Sequence, residues 1–464
     1  MNELTINLNA GSKQPLYEQI YEYIKIEIQR GHILPEEKLP STRALSCHLQ
    51  ISRSTVDLAY EQLVSEGYIE AVPWKGYYVN KIEGLHYLAQ KPADVNMEQK
   101  NKQEQYLVDF KPTGIDLDSF PYNTWRKLSK NVLLAGENEL FQMGDSKGEW
   151  ELRCTIANYL HQSRGVNCSP AQIIVGAGSE YLLILVSRML GKRKIAMESP
   201  TYKQAYHILR NMEHTINMVP MDEAGLRTDC LKESDSDVVY VMPSHQFPLG
   251  IVMPLKRRME LLAWAAENEE RYIIEDDYDS EFRYKGKPIP ALQGYDTKDK
   301  VIYLGTFSKS IAPAIRISYM VLPESLLPVY DKTCGFYSST VSRVDQMIVR
   351  DFINDGYYER HLNKMRAIYK GKHDILISGL KVLKDMCKIE GENAGVHMLL
   401  NITDGRSEEE LIALAKEKGI RVYGLSDYYI SKDDIKDTKL ILGYANLKED
   451  QIKMACEKLS ESWV

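Results

Sequence analysis

Short apolar runs alternate with helical patterns through the last three-quarters of the chain, beginning at about residue 108. The clearest of these runs have five or six residues and occupy positions 173–178, 194–198, 238–243, 272–277 and 301–306. Short buried runs separated by helices predict βαβ units and a mostly parallel sheet. Folds of this class place their sites at the carboxyl ends of the strands. We therefore expect the chemistry of this region in the loops that follow the runs.

The 464 residues fall into three stretches that differ in their sequence pattern. Residues 14–80 hold short helical patterns followed by a β-rich piece, and residues 108–464 carry the alternating pattern. Between them, residues 81–107 include a run that is almost entirely polar and has little to bury. We predict two folded regions joined by a solvated linker over 81–107.

Composition excludes several classes of protein. Hydrophobic residues make up 44% of the chain and charged residues 27%, as in ordinary globular proteins. No apolar run reaches the roughly 18 residues of a membrane helix, and the first residues lack the apolar centre of a signal peptide. The seven cysteines are scattered without a C-x-x-C pair, so neither a zinc site nor a disulfide framework is expected. We expect a cytoplasmic protein with no metal and no membrane partner.

The N-terminal stretch predicts two short helices, a tight turn between them and a hairpin. Ser41 and Ser52 each precede a helical pattern and are typical N-cap residues. Short helices joined in this way form a helix-turn-helix. Residues 69–79 resemble a two-stranded hairpin with Lys75 and Gly76 at its tip.

A helix-turn-helix of this kind would present Arg53, Ser54 and Thr55 to base edges and phosphates in the major groove. The hairpin tip would contact the DNA backbone or the minor groove. The net charge of this stretch does not indicate DNA binding, because residues 11–80 contain seven Lys/Arg and nine Asp/Glu. The same spacing is also explained by an alternative, a small accessory domain whose polar residues are solvated and contact no DNA.

The same stretch resembles the GntR-type winged helix. The matching motifs are LP-S-x-R near Arg43, SR-x-T-V beginning at Ser52 and L-x-x-E-G-Y-I beginning at Leu63, all at the family's spacing. The resemblance implies promoter DNA as a partner. Together with the exposed start of the helix, it assigns DNA contacts to Arg43, Ser52, Arg53, Ser54, Thr55, Lys75 and Gly76.

In the large region, the side chains best suited to bind a cofactor cluster around Lys309, in the segment VIYLGTFSKSIAPAIR. An apolar run ends in a hydroxyl-rich loop with Thr306 and Ser308, and Arg316 follows the lysine by seven residues. This setting suits an imine between Lys309 and an aldehyde that carries a phosphate, which the hydroxyls and the arginine would hold. A solvated surface lysine is commoner for any single lysine, but the flanking apolar runs argue against full exposure.

Two further pieces fit the same chemistry. Residues 272–284 place several acids after an apolar run, and pyridoxal phosphate needs one carboxylate to keep its pyridine nitrogen protonated. Taken alone, an acidic loop is more often a solvated turn or a metal site. The VGAGSE turn at 175–180 opens a helix, and it either wraps a phosphate in backbone N–H groups or is a plain tight turn.

From about residue 108 to the end, these pieces together resemble the class I, fold-type I aminotransferases. The resemblance implies pyridoxal 5′-phosphate as the cofactor, Lys309 as its Schiff-base lysine and Asp276 as the partner of the pyridine nitrogen. Tyr278 would bond the ring hydroxyl, and Tyr202 would stack on the ring. The residues that would hold the phosphate are Gly178, Ser179, Thr306, Ser308 and Arg316.

A winged helix, a linker and an aminotransferase-like domain in one chain resemble the MocR/GabR-type transcriptional regulators. The motifs PSHQFPLG, IIEDDYDSEF and LGTFSKS carry the resemblance further. It implies a homodimer in which each winged helix rests on the partner's large domain, and a small amine effector sensed at Lys309. Two alternatives stay open: a working aminotransferase with an accessory helix-turn-helix, and a sensor of pyridoxal phosphate itself.

Several positions depart from these families. Phe247 replaces the asparagine that helps hold the cofactor hydroxyl in ordinary aminotransferases, which weighs against an efficient enzyme. GABA-type regulators hold an effector carboxylate with two arginines, at positions that here are Gln204 and Asp427; the arginine of ordinary aminotransferases is here Ile441. We expect Gln204 and Asp427 to face an effector that is neutral or cationic away from its amine. A small shift of alignment would make Arg421 the carboxylate anchor instead.

Overall fold

In this computed structural model the residues that the structure describes are 6–9, 11–81, 106–135, 138–284, 289–391 and 395–464. The chain forms two compact units, which divide between residues 103 and 104. Most of the linker predicted over 81–107 lies outside the described residues, so its bounds stay a prediction. At the end of that range, the Leu107 N–H donates to Gly419 O at 2.8 Å.

The N-terminal unit consists of three helices and a two-stranded sheet: α1 Leu16–Gln29, α2 Thr42–Leu49, α3 Arg53–Ser65, β1 Ile69–Val72 and β2 Gly76–Val79. Ile20, Ile24 and Ile28 recur every four residues on α1 and are all buried, because this spacing places them on one face of the helix. The core of the unit is formed by this stripe and the apolar residues of α3, among them Val56 and Leu63.

The predicted N-caps of the second and third helices are confirmed. Ser41 Oγ accepts a hydrogen bond from the Ala44 N–H at 3.1 Å, and Ser52 Oγ accepts one from the Thr55 N–H at 3.4 Å. Each bond satisfies a backbone donor that the first turn of a helix leaves without an intrahelical partner. The two caps therefore define where α2 and α3 begin.

The hairpin tip differs by one residue from the prediction. β1 and β2 are antiparallel, and Val72 pairs with Gly76, so Gly76 belongs to the returning strand and does not lie at the tip. The tip consists of Pro73, Trp74 and Lys75. Trp74 is fully exposed and has a left-handed backbone conformation with φ 65°. The register of the strands, which the sequence pattern did not define, moves the tip toward Trp74.

The large unit contains an eight-stranded sheet, whose strands in chain order are β4 Ile173–Gly176, β5 Lys194–Ser199, β6 Thr215–Asp222, β7 Gly225–Leu226, β8 Val238–Val241, β9 Tyr272–Asp277, β10 Val301–Thr306 and β11 Ser318–Val321. Their order across the sheet is β4-β11-β10-β9-β8-β5-β6-β7. The five strands from β10 to β6 are parallel, and β11 and β7 run antiparallel to their neighbours. The predicted mostly parallel sheet is confirmed.

Helices cover both faces of this sheet. The helices of the large unit are α4 Tyr122–Ala135, α5 Trp150–Arg164, α6 Ser179–Leu190, α7 Lys203–Asn211, α8 Thr228–Glu233, α9 Leu255–Ala266, α10 Leu327–Thr333, α11 Arg343–Asn354, α12 Tyr357–Leu380, α13 Glu408–Glu417 and α14 Glu449–Trp463. In β8, Tyr240 packs with Leu185 of α6, while Val239 and Val241 pack with Trp264 of α9. A strand buried on both faces reads as a continuous apolar run, as predicted.

A smaller antiparallel sheet lies in the C-terminal part of the large unit. Its strands are β12 Cys387–Glu390, β13 His397–Ile402, β15 Tyr423–Gly424 and β16 Lys439–Gly443, in the order β12-β13-β16-β15. A separate parallel pair joins β3 Val108–Asp109 to β14 Ile420–Arg421. This pair ties the start of the large unit to its C-terminal part.

Candidate functional site

A cavity lies at the carboxyl ends of the parallel strands. The structure brings together there most of the residues predicted from the sequence: Ser179, Tyr202, Asp276, Tyr278, Thr306, Ser308, Lys309 and Arg316. They come from the segments that follow β4, β5, β9 and β10, which run in one direction and so deliver their loops to one edge.

Lys309 lies in the loop after β10, and its amine projects into the cavity. Its Nζ donates a hydrogen bond to the backbone oxygen of Thr113 at 2.8 Å. Burial lowers the pKa of Lys309 to about 8, since removal from water disfavours the charged amine; the charge of Asp279 acts in the opposite direction. A substantial share of this lysine is therefore unprotonated and nucleophilic at mildly alkaline pH.

Asp276 is buried on β9, with 5% of its surface exposed. The Tyr240 hydroxyl donates to Oδ2, and Oδ1 has no hydrogen-bond partner among the described residues. Burial raises the pKa of Asp276 to about 7, and the hydrogen bond from Tyr240 opposes that rise only in part. A buried carboxyl with one free oxygen suits a cationic hydrogen-bond donor placed in the cavity.

Hydroxyl, guanidinium and backbone N–H groups meet at another end of the cavity. Gly178 is the N-cap of α6 with φ 100°, and an added Cβ there would clash with Arg316 Nη2. Arg316 Nη2 donates to Glu180 Oε2 at 2.6 Å. Thr306 Oγ1 accepts from the Ser308 N–H at 3.1 Å, and the buried Ser308 hydroxyl has no partner in the part of the chain that the structure describes. The set can bind a phosphate.

Aromatic rings form one wall of the cavity. The ring of Phe247 lies edge-on to those of Tyr202 and Tyr278, with ring centroids 6.0 Å apart in each pair. Phe247 therefore contributes an apolar ring to the wall, at the position that the sequence comparison with ordinary aminotransferases assigns to an asparagine. Such a wall suits a planar aromatic ligand.

The residues predicted to face an effector lie away from this lining. Gln204 and Asp427 are exposed, and neither is among the described residues that line the cavity. Gln204 is nevertheless close to it, since the Tyr202 hydroxyl donates to its side-chain oxygen. Ile441 is fully buried in β16.

Arg421, the alternative carboxylate anchor, is engaged elsewhere. It forms an ion pair with Asp109 at 3.7 Å and lies over the rings of Tyr423 and Tyr106, 5.0 and 5.5 Å from their centroids. It is not among the described residues of the cavity lining. The cations that do line the cavity in the described ranges are Lys309 and Arg316.

The predicted DNA contacts lie on the surface of the N-terminal unit. Arg43 on α2, Ser52 and Ser54 at the start of α3 and Lys75 at the hairpin tip are exposed, while Thr55 and Gly76 are half-buried. Arg53 is exposed and is held by a hydrogen bond to Thr42 Oγ1 at 3.3 Å and an ion pair with Asp57 at 3.6 Å. Because the ion pair with Asp57 is solvated, a phosphate can replace it at little cost.

Sequence reasoning missed several residues of the site. Thr113 contacts Lys309 although almost two hundred residues separate them, and no local pattern connects the two. Tyr240 lies inside an apolar run and gave no sign of its bond to Asp276. Glu180 directly follows a residue predicted to bind phosphate, so its pairing with Arg316 was the one contact that the motif itself could have suggested.

Within the described ranges, no helix has the length and apolar character needed to span a membrane. The same ranges contain no group of three or more His, Cys, Asp and Glu side chains arranged to bind a metal ion.

Comparisons with known proteins match both units. A model of the aminotransferase class I and II family matches residues 116–459, and a model of the gntR family of bacterial regulatory proteins matches residues 16–79. The structure of a kynurenine aminotransferase from Pyrococcus horikoshii resembles the chain with a TM-score of 0.68 at 25% identity, covering 78% of this chain and 91% of its own. The fold and site thus define a gntR-type DNA-binding domain joined to an aminotransferase-like domain.

Full-length relatives have the same combination. The HTH-type transcriptional regulator YdeL of Bacillus subtilis, itself uncharacterized, is 40% identical over 99% of both chains. The pyridoxine biosynthesis regulator PdxR of Corynebacterium glutamicum is 30% identical over 99% of this chain and 98% of its own, and the probable rhizopine catabolism regulator MocR of Rhizobium meliloti is 29% identical over 98% and 95%. The chain belongs to this family of HTH-type transcriptional regulators with an aminotransferase-like domain, as the sequence predicted.

Proposed function

We propose that the protein binds promoter DNA through its winged helix and holds pyridoxal phosphate in the cavity, and that the ligand state of the cavity changes its affinity for DNA. One observation carries the proposal: the Lys309 amine and the free oxygen of the buried Asp276 carboxyl open into the same cavity. An aldehyde and a protonated ring nitrogen are the complementary groups of this cofactor.

The residues present fit the cofactor at three points. Asp276 Oδ1 is buried without a partner among the described residues, so a ring N–H there would satisfy it. The Ser308 hydroxyl is likewise without a partner among the described residues, and Gly178, with φ 100°, brings its backbone close to the Arg316 guanidinium. These two features suit a phosphate held by a hydroxyl, a guanidinium and the amino end of α6.

The bound cofactor would supply an aldehyde that combines reversibly with primary amines. The chain's own residues would orient it: Asp276 would keep the ring nitrogen protonated, and the Lys309 amine, with its pKa lowered to about 8, would carry the cofactor by a covalent link. Arg316 would have to exchange its bond with Glu180 for bonds to the phosphate. Phosphate binding would thereby release the Glu180 carboxylate into the cavity.

The lining constrains the effector. Of the described lining residues, Arg316 and Lys309 are the cations, and the proposed cofactor engages both. A buried carboxylate without a cation is costly, so we infer that the effector is neutral or cationic away from its amine, or is pyridoxal phosphate itself. The PdxR relative is named as a regulator of pyridoxine biosynthesis, which supports the second choice. GABA at millimolar concentration should leave the protein's visible spectrum unchanged.

A working aminotransferase is the second candidate. The family match over residues 116–459 and the intact set around Lys309 and Asp276 favour it. The apolar Phe247 and the absence of a free guanidinium from the described lining weigh against it. Turnover with amino-acid and keto-acid pairs separates the two, because a sensor needs no repeated cycle.

We also propose that the protein is a homodimer. Leu134, Phe141 and Met143 are large apolar side chains of the large unit with 75%, 73% and 81% of their surface exposed, and Leu133 is half exposed. Apolar side chains so exposed favour an interface with a second copy of this chain. Sedimentation of the full-length protein tests this directly.

The cofactor proposal is tested by reconstitution. Full-length protein incubated with pyridoxal phosphate and then desalted should keep a visible absorption band. Borohydride reduction followed by peptide mass analysis should find the cofactor on the peptide containing Lys309. Protein without the band, or an adduct on another lysine, would refute the proposal.

A further inference from the structure

The hairpin tip of the N-terminal unit carries a fully exposed aromatic side chain. Trp74 lies between β1 and β2, and its relative exposure is 105%, so its own unit does not cover the ring. A tryptophan contributes most to stability when its large apolar surface is buried in a core or at an interface. The free protein therefore gains no stability from burial of this ring.

The backbone at Trp74 is also unfavourable for a bulky residue. The Lys75 N–H donates to Val72 O at 3.0 Å, so residues 72–75 form a four-residue turn. Pro73 occupies the second position of the turn, where its ring fixes φ at a negative value. Trp74 occupies the third position with φ 65°. This is the pattern of a type II turn, which favours glycine or asparagine at the third position. The turn therefore strains Trp74 while it presents the ring to solvent.

Two lysines lie close to the exposed ring. Lys75 follows Trp74 directly and is exposed. Lys38 is also exposed, and its Cε lies 3.3 Å from the place that a Cβ on Gly76 would occupy. A protein interior would remove water from both ammonium groups at a high cost. An aromatic ring near two solvated cations instead fits a nucleic acid, which combines a polyanionic backbone with the apolar faces of sugars and bases.

A series of hydrogen bonds joins the hairpin to the start of α3. The Leu39 N–H donates to Tyr77 O at 2.9 Å, which holds β2 beside the residues that precede α2. In the first turn of α2, Thr42 Oγ1 accepts from Arg53 Nε at 3.3 Å. The hairpin, the start of α2 and the start of α3 are therefore neighbours within the unit. DNA that contacts Arg53 lies within reach of the hairpin tip.

We propose that Trp74 is an apolar DNA contact that enters the minor groove beside the segment bound by α3, with Lys38 and Lys75 contacting phosphates near it. Other proteins insert apolar side chains between base steps of the minor groove, where the bases and sugars cover them. The inference rests on the DNA-binding part of the proposed function and does not depend on the ligand of the cavity. It adds to the contacts predicted for Lys75 and Gly76 one of different chemistry.

The chemistry of the contact gives it a distinct dependence on salt. A lysine that neutralises a phosphate releases counterions, so its removal lowers the slope of log affinity against log salt concentration. Covering an apolar ring releases no counterions. The contribution of Trp74 to affinity should therefore be the same at every salt concentration, whereas the contributions of Lys38 and Lys75 should shrink as salt is added.

The experiment titrates the full-length protein, over a salt series, with a DNA fragment selected from genomic DNA with the purified protein. Trp74→Gly places a residue that the turn favours, so the fold should remain intact. Its affinity should fall about tenfold at each salt concentration, with the slope of the wild type. Trp74→Phe keeps an aromatic ring and should retain most of the affinity. Lys38→Ala should instead lower the slope by about 1.

Tryptophan emission reports the contact itself. The chain has five tryptophans, and the difference in emission between the wild type and Trp74→Gly is that of Trp74. This difference should be that of a solvated indole in the free protein, and DNA should quench it. Val64→Ala is the control, because it removes exposed apolar surface from the last turn of α3, at the opposite end from Arg53. Its affinity should equal that of the wild type.

Each remaining outcome overturns a defined statement. Wild-type affinity in Trp74→Gly, a loss that comes with a lower salt slope, an equal loss in Val64→Ala, or an emission difference that DNA does not quench would overturn the Trp74 contact. An emission typical of a buried ring in the free protein would show that another part of the protein or a second copy covers Trp74, which also overturns it. If circular dichroism shows that Trp74→Gly does not fold, Trp74→Asn replaces it. A wild-type protein that binds no DNA would overturn the proposed promoter binding, and the inference with it.

Discussion

In the N-terminal unit most of the side chains predicted to contact DNA, among them Arg53 and Lys75, are exposed to solvent. In the large unit, by contrast, the Asp276 carboxyl and the Ser308 hydroxyl are buried around a cavity, and each has an oxygen without a described partner. An exposed polar group is hydrated and does not destabilise the free protein. A buried polar group without a partner lowers the free energy of unfolding until a ligand binds to it. The difference predicts that occupancy of the cavity changes the stability of the large unit much more than DNA changes that of the winged helix.

The two regions also differ in how the chain assembles them. The surface predicted to face DNA comes from one continuous stretch, residues 41–76, through two N-caps and one hairpin. The cavity collects residues from 113 to 316 at the ends of several strands. A substitution in the first region should act locally, whereas a substitution in the second should disturb a shared set of contacts.

The largest expected effect is that of Lys309→Ala. Since Lys309 is the lysine of the described cavity lining, its removal should abolish the visible band and the borohydride adduct completely. DNA binding by the cofactor-free protein should be unchanged, because the winged helix folds around its own core. Lys300→Ala, just before β10, is the control and should keep the band. A visible band that survives in Lys309→Ala would show that the cofactor is not linked to the lysine of the cavity.

The pH dependence of the unfolding free energy, compared between Asp276→Asn and the wild type, tests how much the buried carboxyl destabilises the protein when it is ionised. The pKa of Asp276 is raised to about 7 from an ordinary value near 4, so its contribution to stability is complete below about pH 4 and is lost as pH rises through about 7. The cofactor-free wild type should lose on the order of 3 kcal/mol of unfolding free energy between pH 4 and pH 8 from this group.

Chemical unfolding at several pH values checks this expectation, and Asp276→Asn should show a shallower decline than the wild type. The decline should not vanish, because burial also raises the pKa of Glu275 and Glu281, each to about 7. Parallel curves for the two proteins would show that Asp276 carries no such cost.

On the DNA side, Arg53→Ala should cost about 1–3 kcal/mol at a specific site if the guanidinium contacts a guanine. Lys75→Ala should weaken binding to all sequences alike and lower the salt slope by about 1, as the loss of one phosphate contact does. Both variants should keep the wild-type visible band. Fluorescence anisotropy over a salt series measures the two effects, and wild-type binding by both variants would contradict a DNA-reading role for this surface.

The smallest expected effect separates backbone strain from the site. Gly178 and Gly191, at the two ends of α6, both have positive φ, 100° and 66°. Alanine at either position should cost about 1 kcal/mol or somewhat more in unfolding free energy. Only at Gly178 does an added Cβ clash with Arg316; at Gly191 nothing lies within 4 Å. Gly178→Ala alone should therefore weaken cofactor binding. Equal affinities in the two variants would disprove the role of Gly178 in holding phosphate.

The sequence predicted the elements of both regions better than their contacts. Apolar runs located β4, β5, β8, β9 and β10, because strands buried on both faces leave a strong signal. The contacts of Thr113 with Lys309 and of Tyr240 with Asp276 depend on long-range tertiary structure that no local pattern encodes. The hairpin tip was misplaced because the pairing of Val72 with Gly76 sets the register, which the sequence pattern did not define.

The most direct test of the central claim is the affinity for DNA at different states of the cavity. A DNA fragment selected from genomic DNA with the purified protein would be titrated with cofactor-free protein, with protein saturated with pyridoxal phosphate, and with saturated protein plus neutral or cationic primary amines. We predict that at least one of these states changes the affinity of the wild type by about 5–150-fold, the usual range of allosteric coupling, and that Lys309→Ala loses the change. Equal affinity in every state, with the visible band showing that the cofactor is bound, would contradict the account.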